Sequence, residues 1–433
     1  MSKKFSVYTL GCKVNTYESE AVKKQFEDNG YKSVDFSEFA DIYIINTCTV
    51  THLGDRKSRQ MIRRTKQLNP ESILVVMGCY AQVAPNDIEK ISEVDIIIGT
   101  DQKAHVYDAV AEFLKNREKL NLVTDISDKK DFEELKVTSY EGRTRAFLKV
   151  QDGCNNFCSY CIIPYARGRI RSRSLKNSLD EARRLANHGF SEIVLVGIHL
   201  ASYGKDTGES LLDLLKGINE IDGISRIRMG SLEPTLFDDE FTEEIAKLPK
   251  ICRHFHLSLQ SGCDETLKRM NRKYKTKDYK ACVNRIRKLF PDAAITTDIM
   301  VGFPGETDEE FEESLNFAKE ISFADAHIFK YSVRKGTVAE KMPNQISPDV
   351  AEARSKKLIQ VAKDTQQNFL NSHMGKTVDV LFEREHKGIL NLYEGKTDNY
   401  ITVIAKSEKD ISGAICRVKI NSVKGTIATG EIV

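Results

Sequence analysis

Six short runs rich in β-branched and aromatic residues recur between residues 146 and 331: AFLKVQ, EIVLV, RIRMG, FHLSL, AITTDIMV and AHIFKY. Helical apolar spacing fills the intervals between them. A strand followed by a crossover helix, repeated, places neighbouring strands parallel, so this stretch predicts a partial (β/α)6 barrel open on one side. Two of the intervening helices are read as opening on capping boxes, Ser178 with Glu181 and Thr307 with Glu310. After Thr307 the apolar positions Phe311, Leu315 and Ala318 keep helical spacing. Sites in barrels of this kind lie at the carboxyl ends of the strands.

A separate alternation covers residues 3–117. FSVYTLG, DIYIIN, ILVVMG and DIIIG read as buried strands, each trailed by a helical pattern. In the first of these helices Tyr17, Ala21, Val22 and Phe26 mark one face, which ends at Gly30. This predicts a parallel α/β domain. Residues 118–143, charged and poorly periodic (DISDKKDFEELK), read as a linker. The barrel region then occupies 144–373. It includes a trailing helix that starts at Ser347-Pro348, runs to about His373, and has Gly375 past its end. In 374–433 the character changes: TVDVLF, YITVIA and CRVKIN, broken by Gly388, Gly395, Gly413 and Gly425, predict a small antiparallel β-barrel. The fold class is therefore α/β with an all-β tail.

The first barrel strand runs into Gly153 and then Cys154-Asn-Asn-Phe-Cys158-Ser-Tyr160-Cys161, spaced C-x3-C-x2-C. Three thiolates are one short of a closed tetrahedral zinc site. They suit a 4Fe–4S cluster with three irons held and the fourth open to a ligand. A zinc ribbon fragment or chance clustering is the plainer alternative. Cys12, Cys48 and Cys79 each follow one of the first three strands, 36 and 31 residues apart, one βα unit each time. Carboxyl ends of neighbouring parallel strands open into one crevice, so these thiols can converge on a second cluster with the same open position. Three structural cysteines packed as small hydrophobes are the alternative. The glycines of Leu10-Gly11-Cys12 and Met77-Gly78-Cys79 would let backbone approach a bulky ligand. With no secretory leader in view, ten cysteines do not read as a disulfide framework.

The remaining strand ends carry Gly197-Ile-His199, then Ser231-Leu-Glu233-Pro234, then Ser258, Gln260, Ser261 and Gly262, and finally Asp298 with Gly302-Phe-Pro-Gly305. Glycine admits a nucleoside close to the backbone, and short polar side chains can hydrogen-bond it. Each is also ordinary turn chemistry. His199 reads as a satisfied polar residue rather than a metal ligand.

Net charge is only +2 and names no partner, but local charge does. Arg56 to Lys66 holds six cations and no acid, Arg167, Arg169, Arg171 and Arg173 alternate behind the cysteine loop, and Lys268 to Lys280 holds seven cations against one acid. Such runs neutralise phosphate and point to RNA. A solvated helix face explains the first and last equally well. No run approaches the roughly 18 apolar residues of a membrane span, so a cytoplasmic protein without a membrane partner is expected.

LGCKVNTYESE, NTCTVT, VVMGCYAQ, QDGCNNFCSYCIIPYARGRIRSR, HLSLQSG and DIMVGFPGET together resemble the methylthiotransferase family of radical S-adenosylmethionine (SAM) enzymes, over nearly the whole chain. The resemblance implies an N-terminal methylthiotransferase domain, a radical SAM core and a C-terminal TRAM domain. It implies that Cys154, Cys158 and Cys161 hold the SAM-cleaving 4Fe–4S cluster, while Cys12, Cys48 and Cys79 hold an auxiliary one that carries the sulfur to be inserted. Tyr160, Gly197, Ser231, Glu233, Gln260, Asp298 and Gly302 would then line SAM, with Tyr160 near its adenine. GCKVN and NTCTVT look most like the type that methylthiolates C2 of N6-threonylcarbamoyladenosine in tRNA, at position 37 next to the anticodon. An electron donor and a sulfur source are implied as further partners. The threonylcarbamoyl group carries a carboxylate, so a cation is expected in the pocket. Sister types act on isopentenyladenosine in tRNA or on an aspartate of a ribosomal protein, and a non-catalytic Fe–S module that binds RNA is an alternative of another class.

Overall fold

A computed structural model of the protein describes residues 3–137, 140 and 143–433, the side chains of His52 and Leu53 excepted. The first sheet has strands β1 (Lys4–Thr9), β2 (Lys32–Ser33), β3 (Ile42–Thr47), β4 (Ile73–Gly78), β5 (Ile96–Ile98) and β6 (Leu120–Asn121). They lie in the order β2-β1-β3-β4-β5-β6, and every pairing is parallel. All six residues of β3 and all six of β4 are buried, as central parallel strands require. Helix α1 (Lys13–Asp28) follows β1 and helix α2 (His52–Leu68) follows β3. One apolar layer packs Phe5, Val22, Phe26 and Phe113 on one face of the sheet, and another packs Tyr43, Ile45, Ile62 and Tyr80 on the other.

Of the expected linker 118–143, residues 138, 139, 141 and 142 lie outside the described residues; the rest hold little regular structure beyond β6, yet they do not hang free. Ile126, Leu135, Val137 and Tyr140 are buried, and the last three join the core of the barrel. Single apolar residues set among charges strap the first domain to the second, a pattern that composition hides.

The second region contains β7 (Arg145–Lys149), β8 (Gln151–Asp152), β9 (Arg171–Ser172), β10 (Glu192–Val196), β11 (Arg226–Met229), β12 (Ser231–Leu232), β13 (His254–Leu257), β14 (Ala294–Val301) and β15 (Asp325–Lys330). β8 and β9 form a short antiparallel pair. The others make two parallel sheets, β11-β10-β7 and β12-β13-β14-β15, joined by a parallel bridge between Ile227 and Ile251. The six expected strands thus appear in the expected order. β7 and β15 are unpaired with each other among the described residues, which leaves the barrel open.

One of the two expected capping boxes forms. Thr307 Oγ1 accepts from the Glu310 amide at 3.2 Å, and the Glu310 carboxylate accepts from the Thr307 amide at 3.2 Å. The other does not, because the helix Leu175–Asn187 begins one turn earlier and is capped by Ser174. Ser178 and Glu181 lie inside that helix, buried. Glu181 instead pairs with Arg173 and accepts from the Tyr17 hydroxyl at 3.0 Å.

The trailing helix Pro348–Asn371 is capped by Ser347, and Gly375 past its end has φ +78°. The C-terminal strands β16 (Thr377–Glu385), β17 (Leu392–Thr397), β18 (Thr402–Lys406), β19 (Ile415–Lys424) and β20 (Ile427–Ile432) close into a barrel. Its pairings are antiparallel except that of β18 with β20, which is parallel. This barrel seats against the amino ends of the strands in the large barrel. Arg226 donates to the carbonyls of Lys396 at 3.0 Å and Asp379 at 2.8 Å, and Arg228 to those of Asp398 at 2.8 Å and Thr397 at 3.2 Å. No described helix is long and apolar enough to cross a membrane.

Candidate functional site

The cysteine loop leaves β8 through Gly153, whose φ is +71° and whose added Cβ would stand 1.8 Å from the Arg169 carbonyl oxygen. Only glycine fits there. The loop then folds tightly, with the Cys161 amide donating to the Cys158 carbonyl at 2.9 Å and the Asn156 amide facing the Cys154 sulfur at 3.5 Å. Arg272 donates to the Cys158 sulfur at 3.2 Å and pairs with Glu233 at 2.8 Å. Glu233 also accepts from Asn156 Nδ2 at 3.0 Å and faces His199 Nε2 at 3.1 Å. Burial opposes its charge, but His199, Arg272 and Asn156 hold its carboxyl down at about 2. The other ring nitrogen of His199 meets Ser202 Oγ at 2.5 Å, so both nitrogens are engaged within the protein.

The second trio is built by the first sheet. Cys12 caps the start of α1, Cys48 follows β3, and Cys79 opens a short helix directly after β4. A Cβ on Gly11 would lie 2.9 Å from Cys48 Cβ, so the first two strand ends meet there. Arg167 sits six residues after Cys161 and crosses from the large barrel into this crevice. It donates from Nε to the Cys79 sulfur at 3.3 Å and from Nη2 to Asn15 Oδ1 at 2.6 Å. It also pairs with Glu18 and, at 3.2 Å, with Asp152. Glu18 is fully buried, and Lys149 at 2.8 Å and Lys103 at 3.4 Å complete its shell. Burial opposes the charge of Glu18, but Arg167, Lys103 and Lys149 hold its carboxyl at about 2.

Both trios fit a cluster by the chemistry of their donors. Burial pushes the Cys79 and Cys154 thiols up to about 11 and Cys161 up to about 12, and it raises Cys48. Such thiols ionise at neutral pH when a metal takes them as thiolates. Among the described residues no three His, Cys, Asp or Glu side chains close round a point as the ligands of one ion would. A cubane places each thiolate on a different iron and accepts a wider triangle.

The strand-end residues divide between solvent-accessible and packed positions. Ser231 and Ser258 share a hydrogen bond at 2.9 Å, and Asp298 faces His256 at 3.3 Å, both pairs keeping some solvent access. Gln260 has φ +67°, and its side-chain oxygen is buried with no protein partner. Gly197 lies against Gln151, 2.9 Å from an added Cβ to Gln151 Oε1. Tyr160 stands edge-on to Phe303 at 6.3 Å and packs near Met270 and Met300. The missing side chain of Gly302 makes room for Ala351 of the trailing helix, at 2.8 Å from an added Cβ.

The arginine run behind the cysteine loop requires a correction. Arg167, Arg171 and Arg173 are buried and pair with Glu18, Asp152, Glu134 and Glu181, so phosphate cannot reach them. Only Arg169 of that run is exposed, with its guanidinium 4.7 Å over the Phe157 ring. Arg272, within the Lys268–Lys280 run, likewise turns inward. On α2 the picture differs, since Arg56, Lys57, Arg63 and Arg64 are all exposed. Sequence alone marks neither Arg167 nor Arg272 as a partner of the cysteines, and it does not single out Asn156 or Glu18. Asn156 lies inside the C-x3-C loop and Glu18 inside YESE, the only signals the sequence offered for them.

The fold is similar to the radical S-adenosylmethionine methyltransferase TsrM from Kitasatospora setae, solved with cobalamin and a [4Fe-4S] cluster. That match has a TM-score of 0.55 and 17% identity, over 76% of this chain and 75% of that one. The Radical SAM superfamily profile matches residues 148–318, and that of Uncharacterized protein family UPF0004 matches residues 4–99. An open parallel barrel whose first strand delivers a C-x3-C-x2-C loop makes this a radical SAM enzyme, with SAM and an iron–sulfur cluster as its cofactors. The threonylcarbamoyladenosine tRNA methylthiotransferase MtaB of Bacillus subtilis is 41% identical, over 95% of this chain and 92% of the relative. The tRNA-2-methylthio-N(6)-dimethylallyladenosine synthase of Clostridium botulinum (Loch Maree) is 37% identical, over 99% and 96%. The chain belongs to the methylthiotransferase family of radical SAM enzymes.

Proposed function

We propose that this protein methylthiolates C2 of N6-threonylcarbamoyladenosine next to the anticodon of tRNA. In this reading Cys154, Cys158 and Cys161 hold the SAM-cleaving 4Fe–4S cluster, and Cys12, Cys48 and Cys79 hold a second one that delivers sulfur. What supports it is the placement of Cys154, Cys158 and Cys161 on the loop after β8 and of Cys12, Cys48 and Cys79 just after β1, β3 and β4, with Arg167, six residues past Cys161, donating to the Cys79 sulfur at 3.3 Å. An aromatic C–H is too inert for side-chain acid–base catalysis, worth only about 10²–10⁴-fold. The clusters and SAM would supply the radical and sulfur chemistry when bound, and the protein positions and shields it. Arg272 supports Cys158 and orders Glu233, while Arg167 supports Cys79 and locks α1 against the barrel. The exposed cations of α2, the helix that begins four residues after Cys48, suit an RNA backbone. The small C-terminal barrel matches the TRAM domain that the sequence motifs imply.

Nucleoside analysis of tRNA from a deletion strain tests the substrate. The 2-methylthio form of N6-threonylcarbamoyladenosine should vanish and return with the wild-type gene. Its persistence, with loss of a thiomethyl mass from a ribosomal protein or of 2-methylthio from isopentenyladenosine, would move the activity to a sister substrate.

A further inference from the structure

The floor of the large barrel is unusually cationic, and the plug that makes it comes from the C-terminal domain. Tyr400, in left-handed backbone at φ +74°, inserts its ring from the β17–β18 turn. His254 stacks on that ring at 4.7 Å with a 10° tilt. The guanidiniums of Arg228 and Arg145 stand 4.7 and 5.4 Å from its centroid, and the Lys396 ammonium 4.7 Å. A fourth cation comes from the first domain. Val14 packs on the inward-facing Phe147, Val194 and Val196, so the start of α1 reaches into the lumen and carries Lys13 with it. Lys13 is exposed, and its charge acts on Tyr400.

The charges do not balance. Lys13, Arg145, Arg226, Arg228 and Lys396 surround this floor, and two carboxylates answer them. Glu192 takes Arg228 at 2.7 Å and Arg226 at 3.6 Å, and Glu383 takes Arg145 at 2.7 Å. Glu394, the next carboxylate along, is engaged by His386 at 2.7 Å. Asp398 is engaged by Arg253 at 2.6 Å. Among the described residues Lys13 makes no ion pair, and Lys396 Nζ reaches only the Thr402 hydroxyl, at 2.6 Å. Burial would raise the Tyr400 phenol, but Arg145, Lys13 and Lys396 hold it below its ordinary range, the mark of an uncompensated positive field.

We propose that Lys13, Lys396 and the Arg145–Tyr400 pair form a carboxylate-binding subsite at the base of the lumen. The ligand it takes is an adenosine whose N6 substituent ends in an acid. This deepens the reading of the preceding subsection and rests on it. Lys13 is the residue after Cys12, so the subsite and the second cysteine trio are joined by a single step of the chain. An uncharged N6 substituent would leave these cations facing an apolar group, at the cost that sites built for polar partners impose on analogues lacking them. Lys13 is thus a specificity-determining residue, acting before the chemistry.

Three anticodon stem-loop RNAs test this on reconstituted holoenzyme. One carries N6-threonylcarbamoyladenosine, one its methyl ester, and one an N6-dimethylallyl group. Wild-type protein should process the acid with kcat/KM roughly 10- to 100-fold above the ester, the size of one charge-assisted hydrogen bond. Lys13→Gln should lose most of that preference through KM, with kcat on the acid less affected. Lys396→Gln, far in sequence from any cysteine, should do the same and guards against a disturbed cluster. Equal processing of acid and ester by wild type overturns the subsite while leaving the proposed activity standing. Retention of the full preference in both variants also overturns it. Processing of the dimethylallyl RNA alone overturns the proposed activity and the subsite together.

Discussion

Arg167→Met tests how the two cysteine sites are tied. The substitution keeps the buried stem and removes the charge that Glu18 and Asp152 share. Removing one partner of a buried ion pair costs about 3–5 kcal/mol, because the other charge is left without its counter-ion. Here the lower end applies. Glu18 keeps Lys149 at 2.8 Å and Lys103 at 3.4 Å, and Asp152 keeps Lys149 at 2.6 Å. About 3 kcal/mol corresponds to roughly a hundredfold in the opening equilibrium. Amide hydrogen exchange on anaerobic holoenzyme reads this directly, since α1 must leave the barrel for its amides to exchange. Protection from Tyr17 to Phe26 should fall roughly a hundredfold in Arg167→Met. Adding Glu18→Gln removes the stranded carboxylate, so the double variant should be less destabilised than the sum of the two singles. Protection within a few-fold of wild type, or strict additivity, would refute the claim that this network locks the domains.

The same carboxylates set a pH dependence. Glu18 and Glu233 are both held at about 2, below the ordinary 4.5, so their stabilisation is complete above about 4.5 and drains away as pH falls towards 2. Urea midpoints should therefore be level down to about pH 5 and then drop, and Glu18→Gln should shrink that drop. Arg272→Met removes a cation 3.2 Å from the Cys158 sulfur, so the cluster there should become harder to reduce, read as a lower midpoint in a potentiometric EPR titration. Neutralising Lys57, Arg63 and Arg64 on α2 should weaken tRNA binding and reduce the slope of log affinity against log salt by up to about one for each phosphate left without its cation. An unchanged slope would remove that face from the RNA interface.

Much of the plan is legible in the chain because it is local. Each cysteine of the first trio ends a β-branched run, so βα periodicity alone put Cys12, Cys48 and Cys79 at one edge of a parallel sheet. Gly153 and the C-x3-C-x2-C spacing marked the second site in the same way. What stayed hidden depends on contacts across the fold. A run of alternating arginines looks identical whether its charges face water or carboxylates from another domain. Arg167 finds its carboxylate in Glu18 of the first domain, 149 residues away, and Arg173 finds one in Glu181, 8 residues on, turned inward on a buried helix face. Ser178 with Glu181 satisfies the capping pattern, but Ser174 sits one turn earlier and Arg173 needs the glutamate. Nothing near Tyr400 in sequence hints that it floors a barrel whose strands begin at Arg145.

Iron and acid-labile sulfide, counted per chain after anaerobic reconstitution, address the two-cluster claim most directly. Wild-type protein should hold about eight of each, and the Cys12→Ala/Cys48→Ala/Cys79→Ala variant about four while still cleaving SAM to 5′-deoxyadenosine. About four of each in the wild type, with no loss in that variant, would contradict the account.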